Sequence, residues 1–241
     1  MTRNTAQKSS IEEIRDRFDR DVDRFSNLET GQTATVDAAL ALDLIARSAA
    51  AATPAAGAML DIGCGAGNFT LKVLERLPNL DCTLIDLSAN MLARANARVT
   101  AATAGIVRTI QDDVRLLEMA DDSFDVIVAA AVLHHLREES EWVALFRKLY
   151  RWLRPGGSLW IFDLVSHEID AVQAIMWGRY GDYLADFKGE QYREHVFAYV
   201  DREDSPRPVL FQCELLRDAG FRKIDILHKN TCFAAFGACK L

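Results

Sequence analysis

Nothing in this 241-residue chain supplies the roughly 18 consecutive apolar residues that a membrane-spanning helix requires. Met1 to Ser10 are polar and carry no apolar core, so no secretory leader is expected. The five cysteines, Cys64, Cys82, Cys213, Cys232 and Cys239, are odd in number and scattered, with no C-x-x-C pair. That excludes a disulfide framework or a zinc knot and points to reduced thiols in a cytoplasmic protein. The five histidines are dispersed apart from His134 and His135, and no metal site is expected. Positive charge is also short: the formal net charge is −7, which argues against a broad electrostatic grip on nucleic acid. Internal repeats and low-complexity tracts are lacking. What remains is ordinary globular composition, 50% hydrophobic and 26% charged, at a length suited to one α/β domain spanning residues 1–241.

Ser10-Ile11-Glu12-Glu13 has the form of a capping box. Ile11, Ile14, Phe18, Val22 and Phe25 then recur at helical steps and predict an amphipathic N-terminal helix. Its other face mixes acids and arginines, the pattern of a solvated surface. A polar turn over 26–35 leads to an alanine-rich helix over about 36–52, broken by Thr53-Pro54-Ala55-Ala56-Gly57. Residues 1–52 thus read as a helical cap. From Ala58 short apolar runs alternate with helical patterns. Strands are predicted near 58–62, 81–86, 106–110, 124–130 and 157–163, and helices near 67–77, 89–100 and 138–153, the last ended by Arg154-Pro155-Gly156-Gly157. Such alternation implies a parallel sheet with right-handed crossovers. Residues 165–208 interrupt it with an aromatic-rich insert of short helices. A helix over Leu210 to Ala219, capped by Gly220, precedes strands at 221–228 and 231–239; a turn at His228-Lys229-Asn230 would make them an antiparallel hairpin.

The first strand ends in Leu60-Asp61-Ile62-Gly63-Cys64-Gly65-Ala66-Gly67. Glycines let the chain turn sharply and let a ligand lie against backbone and helix N-terminus. The spacing is G-x-G-x-G, not the G-x-G-x-x-G of a dinucleotide turn. Asp61, two residues before the first glycine, is a poor neighbour for a pyrophosphate and suits a ligand bearing an ammonium or sulfonium. This resembles motif I of the class I S-adenosylmethionine (SAM) methyltransferases. Asp86 closes the second strand about 20 residues beyond the glycine turn; it reads either as an acceptor for both ribose hydroxyls or as an acid at a helix N-terminus beside the Ser88 cap.

Later segments resemble the same family in the same order: Gln111-Asp112-Asp113-Val114-Arg115, Ser123-Phe124-Asp125-Val126-Ile127, Leu133-His134-His135-Leu136, Leu153-Arg154-Pro155-Gly156-Gly157 and Ala219-Gly220-Phe221. The resemblance implies a seven-stranded Rossmann-like α/β sheet with helices on both faces, an antiparallel terminal hairpin and an N-terminal helical lid. It implies SAM as cofactor and S-adenosylhomocysteine as product. Asp61, Gly63, Cys64, Gly65, Gly67, Asp86, Leu87, Met91 and Ala130 are the expected cofactor residues, with Asp113 for the adenine amino group, Val114 for a ring nitrogen and Asp112 beside them.

Methyl transfer from a sulfonium needs positioning above all, and a general base only when the nucleophile arrives protonated. His135 is the candidate base, with backbone packing as its alternative role. Tyr180, Tyr183, Tyr192, Arg193 and His195, in the insert, are the candidate grip on a small-molecule substrate, while Trp177 and Phe187 read as packing. The N-terminal helix reads as a lid or as a homodimer contact.

Phe18-Asp19-Arg20-Asp21-Val22 and Cys232-Phe233-Ala234-Ala235-Phe236-Gly237 loosely resemble the carboxy-SAM synthases of tRNA wobble-uridine modification. Those enzymes hold the cofactor carboxylate with an arginine where this chain has Leu215, with Arg217 two positions on. The leading expectation is a methyltransferase for a small molecule. A carboxy-SAM synthase-like enzyme, a non-catalytic SAM-binding protein and a NAD-dependent dehydrogenase are its alternatives.

Overall fold

A computed structural model describes residues 8–20, 22–26 and 33–241. Along the chain lie α1 (Ile11–Arg20), α2 (Val22–Ser26), α3 (Ala38–Ala52), β1 (Ala58–Ile62), α4 (Asn68–Leu74), β2 (Asp81–Asp86), α5 (Ala89–Thr100), β3 (Val107–Gln111) and β4 (Phe124–Ala130). A 3₁₀ turn, Leu133–His135, leads to α6 (Glu139–Trp152), β5 (Leu153–Leu164), α7 (Asp170–Lys188), α8 (Glu190–Glu203), α9 (Val209–Ala219), β6 (Lys223–Asn230) and β7 (Phe233–Cys239). The sheet order is β3-β2-β1-β4-β5-β7-β6, parallel throughout except that β7 runs against both of its neighbours. The order reverses between β1 and β4, and the crevice beyond the carboxyl ends of these strands is where such sheets bind ligands.

Strand alternation assigns each side chain to a face. From β1, Met59 joins the core beneath α3, α4 and α5, while Leu60 and Ile62 join the opposite core around α6 and α9. Trp142, Leu145, Phe146 and Leu149 of α6 are buried there along one helical stripe, and so is Trp152. The parity breaks between β4 and β5, and again between Ile226 and His228 of β6. Phe124 pairs with Leu153 and Val126 with Ser158, so Arg154–Gly157 loop out of the ladder. The Arg-Pro-Gly-Gly segment therefore sits inside the β5 run rather than separating helix from strand. Asp125 fastens this irregularity, accepting from Gly57 N at 2.8 Å, Ala58 N at 2.9 Å and Arg154 Nη1 at 2.9 Å.

Several expectations need correction. The insert holds two long helices, α7 and α8, packed on each other, rather than short ones. The hairpin turn falls at Thr231-Cys232, with Thr231 at φ 46°. His228, Lys229 and Asn230 belong to β6, where His228 Nε2 and Asn230 Nδ2 each lie 2.8 Å from Asp37 Oδ2. Trp177 packs as expected, stacked on Phe197 with centroids 4.7 Å apart, but Phe187 is exposed.

The N-terminal capping box forms: Glu13 N donates to Ser10 Oγ at 3.2 Å and Ser10 N to Glu13 Oε2 at 2.7 Å. The polar face of α1 is not simply solvated, however. Arg17 Nη2 reaches Glu203 Oε2 at 2.8 Å, and Asp19 Oδ1 accepts from Ser88 Oγ at 2.5 Å. These contacts seat α1 across the crevice. The expected turn at Asn27 to Gln32 and the side chain of Phe25 lie outside the described residues.

Candidate active site

The glycine turn opens the crevice. Gly63 has φ +63°, and a Cβ there would meet Val132 Cγ2 at 2.5 Å, so the close packing of the two loops requires glycine. Gly65 has φ +51°, and nothing lies within 4 Å of where its Cβ would be. Backbone is thereby exposed to a ligand. All the expected cofactor residues except Gly67 line one cavity: Asp61, Gly63, Cys64, Gly65, Asp86, Leu87, Met91, Asp112, Asp113, Val114 and Ala130. His135 lines it too. Gly67 instead begins α4, where Val99 and Ala95 of α5 press close.

The carboxylates differ in their engagements. Asp61 is buried, accepts from Thr70 Oγ1 at 2.6 Å, and is pushed up to about 7 by loss of solvent. Asp86 is raised as well, again by burial, although Ser88 N (2.9 Å) and Gly65 N (2.8 Å) each donate to one of its oxygens. Asp86 thus meets the start of α5 through Ser88 N, and it also lines the cavity. Asp113 is enclosed too, but Arg115 more than offsets this: its backbone N donates to Oδ1 at 2.9 Å and its Nε at 3.0 Å, holding the carboxyl below the usual range. Arg115 Nη1 continues to Glu141 Oε1 at 2.8 Å. Asp112 is exposed and accepts from Asp113 N at 2.7 Å.

The other wall comes from residues not expected to bind the cofactor: Ile11, Ile14 and Phe18 of α1, Ala34 and Thr35 before α3, and Val132, Leu136 and Arg137. The insert residues stand one layer back. Tyr180 donates to Ala34 O and Tyr183 to Thr33 O, each at 2.8 Å, so they fix the segment that lines the cavity rather than lining it. Tyr192 packs on Phe187, Arg193 pairs with Glu190, and His195 is exposed. None of these three borders the cavity.

His134 and His135 sit in a buried charged cluster that the sequence left unassigned. His134 Nδ1 contacts Asp163 Oδ1, and its Nε2 lies 3.7 Å from Asp204 Oδ1. His135 Nδ1 lies 3.2 Å from the same Asp204 oxygen. His134, His135 and Asp204 bring metal-ligating atoms within 4.8 Å of one another, a grouping the dispersed histidines did not suggest. Burial opposes charge on His134, but Asp163 and Asp204 outweigh it and raise the imidazole to about 9. His135 is lowered by burial and by the His134 cation. An acid at the end of the apolar run Leu159–Phe162 was a signal for Asp163. Asp204 gave none, since Asp201-Arg202-Glu203-Asp204 reads as a solvated charge run.

The sheet order, with the cavity at its switch point, defines a Rossmann-like α/β fold of the methyltransferase type. Phosphoethanolamine N-methyltransferase 2 of Haemonchus contortus, solved with phosphomonomethylethanolamine and S-adenosylhomocysteine, superposes with a TM-score of 0.67 at 19% identity, over 96% of this chain and 61% of that one. Residues 59–157 match the family described as a methyltransferase domain. A malonyl-[acyl-carrier protein] O-methyltransferase of Paenibacillus sp. (strain JDR-2) is 36% identical over 103 residues, 42% of this chain and 36% of that protein. A demethylmenaquinone methyltransferase of Listeria monocytogenes is 26% identical over 68% of this chain and 69% of that protein. The chain spans about a third of the first of these relatives.

Proposed function

We propose that this chain transfers the methyl group of SAM to a small-molecule acceptor held beneath α1. The observation that carries the reading is one cavity in which a buried acid titrating near neutrality, Asp61, stands beside two left-handed glycines, inside a matched methyltransferase domain. The residues fit the cofactor. A buried carboxyl raised to about 7 is stabilised by an incoming ammonium, and Asp86 keeps lone pairs for ribose hydroxyls while backbone donors orient it. Leu87, Met91 and Val114 offer an apolar slot for a purine, with Asp113 at its edge and Ala130 leaving room at the end of β4.

When bound, SAM supplies an activated methyl group on sulfur. The chain's own contribution is to position the acceptor and exclude water. Ile11, Ile14, Phe18, Val132 and Leu136 provide the apolar side of that work. His135, neutral because its imidazole is lowered, takes a proton from an acceptor hydroxyl or ammonium. The cations bordering the cavity among the described residues are Arg115, engaged by Asp113 and Glu141, and Arg137, whose guanidinium contacts Ser9 O. An uncharged or weakly charged acceptor therefore suits the cavity better than a phosphorylated one. Arg217 is exposed and does not border the cavity, so it offers no hold on a carboxylated cofactor. Helices α1–α3 and the α7–α8 pair serve as the cap.

Titration calorimetry with SAM, S-adenosylhomocysteine and NAD in parallel tests the reading. Binding of the first two without NAD supports it and opens a panel screen of phenols, enols and amines for S-adenosylhomocysteine release. Binding of NAD alone sinks it.

A further inference from the structure

We infer that Asp204, far from every motif that marks the cofactor, is the positioning residue that sets the tautomer of His135. The inference rests on the reading of His135 as the base. Asp204 follows α8 and is buried. Its backbone is tied in place by Asp204 N donating to Val200 O at 2.9 Å and by Ser205 N donating to His134 O at 2.7 Å, which joins this segment to the 3₁₀ turn carrying both histidines. Asp204 Oδ1 lies 3.2 Å from His135 Nδ1, and a carboxylate can only accept. The proton of a neutral His135 therefore belongs on Nδ1. The approach does not complete a hydrogen bond in this geometry, since His135 Nδ1, His135 Nε2 and Asp204 Oδ1 are all without a hydrogen-bond partner among the described residues; the closeness of the carboxylate places the proton on Nδ1 and leaves the lone pair on Nε2. An imidazole wall residue in this state is ready to take a proton; the opposite tautomer would present a donor instead.

The surrounding groups keep Asp204 ionised. His134 faces it from the same turn as His135, and Asp163 of β5 engages the far side of His134. Arg17 of α1 pairs with the neighbouring Glu203, and the Phe18 ring stands edge-on to His135 with centroids 6.1 Å apart. The His134 cation and the contact with His135 bring the Asp204 carboxyl below its ordinary value despite burial. Elements distant in sequence thus meet around Asp204 and the two histidines.

The test reads the ring directly, in the full-length protein with S-adenosylhomocysteine and EDTA present. Histidine labelled with ¹³C and ¹⁵N distinguishes the tautomers, and His135→Gln assigns the signal. The wild-type protein is expected to show His135 as the Nδ1–H form; finding the Nε2–H form overturns the inference without any variant having to fold. Asp204→Asn, which can donate from its amide, is expected to shift His135 toward Nε2–H and to lower its titration midpoint. An unmoved tautomer and midpoint in that variant also overturn it. With the acceptor found in the panel, Asp204→Asn is expected to lose about 100-fold in kcat with unchanged SAM affinity. If His135→Gln keeps full kcat while the wild-type ring is Nδ1–H, the base reading falls and the hold of Asp204 stands as structural fact.

Discussion

The floor and the roof of the cavity handle buried charge in opposite ways. On the floor, Asp61 and Asp86 stand at the carboxyl ends of β1 and β2 with no cationic side chain hydrogen-bonded to them among the described residues, and burial raises both. On the roof, among the described residues, charges lie beside counter-charges: Arg17 with Glu203, His134 with Asp163 and Asp204. Buried charge is tolerated only when paired. On the proposed reading, the floor is arranged to gain a cation from a ligand, whereas the roof carries its own counter-charges and offers a neutral imidazole, His135. The difference would then separate binding from chemistry within one crevice.

The comparison is broken most forcefully at His135. His135→Gln is expected to lower kcat about 100-fold or more while leaving SAM affinity unaltered, because its contribution belongs to the roof. Calorimetry and steady-state rates on the same preparation check the split. Equal losses in both would merge the two halves.

The floor predicts a proton linkage. Free Asp61 titrates near 7, and an ammonium beside it lowers that value in the complex, so the complex holds fewer protons. Binding of SAM should release protons below pH 7, and affinity should rise with pH by up to about tenfold per unit before levelling off above it. Calorimetry in buffers of differing ionisation enthalpy measures the release. Asp61→Asn is expected to abolish it, and a pH-independent affinity in the wild type would remove Asp61 from the ammonium site.

The roof predicts a pH effect on stability of the opposite sense. His134 is raised from 6.5 to about 9, so the folded state binds the extra proton. The stabilisation is full below about pH 6.5 and is lost as pH climbs through 9. Tm should fall across that window, and Asp163→Asn should flatten the decline. A Tm indifferent to pH there would show His134 neutral.

The smallest effect is expected from the layer behind the roof. Tyr183→Phe removes the hydrogen bond to Thr33 O and should cost about 1 kcal/mol of stability. It is expected to raise the KM for the acceptor and to spare SAM binding. A loss of SAM affinity equal to the KM change would show that the segment before α3 serves the floor instead.

Much of the floor was legible because its residues are set by local backbone demands. A strand-to-helix turn with left-handed positions leaves Gly63 and Gly65 in the sequence, and acids at strand ends fall at intervals fixed by the βαβ repeat. Helix α6 was equally clear, since its apolar step is continuous and its buried Trp142, Leu145, Phe146 and Leu149 follow it. The substrate reading failed to reach the cavity for the complementary reason. Tyr180 and Tyr183 look like cavity residues by type, but their hydroxyls are spent on the carbonyls of Ala34 and Thr33. Arg17 and Asp19 looked solvated because a helical wheel cannot know that α8 and the start of α5 lie across from them.

By itself, then, the sequence determined the strand-helix alternation, the glycine turn, the strand-end acids and the terminal antiparallel pair, all consequences of steric rules acting over a few neighbouring residues. The tertiary structure alone decided that Asp163, Asp204 and Arg17 meet at the paired histidines, and that α1 supplies the apolar wall. The physical reason is separation along the chain. A charge pair formed across well over a hundred residues leaves no periodicity to read, and only the folded arrangement shows which carboxylate a buried imidazole will face.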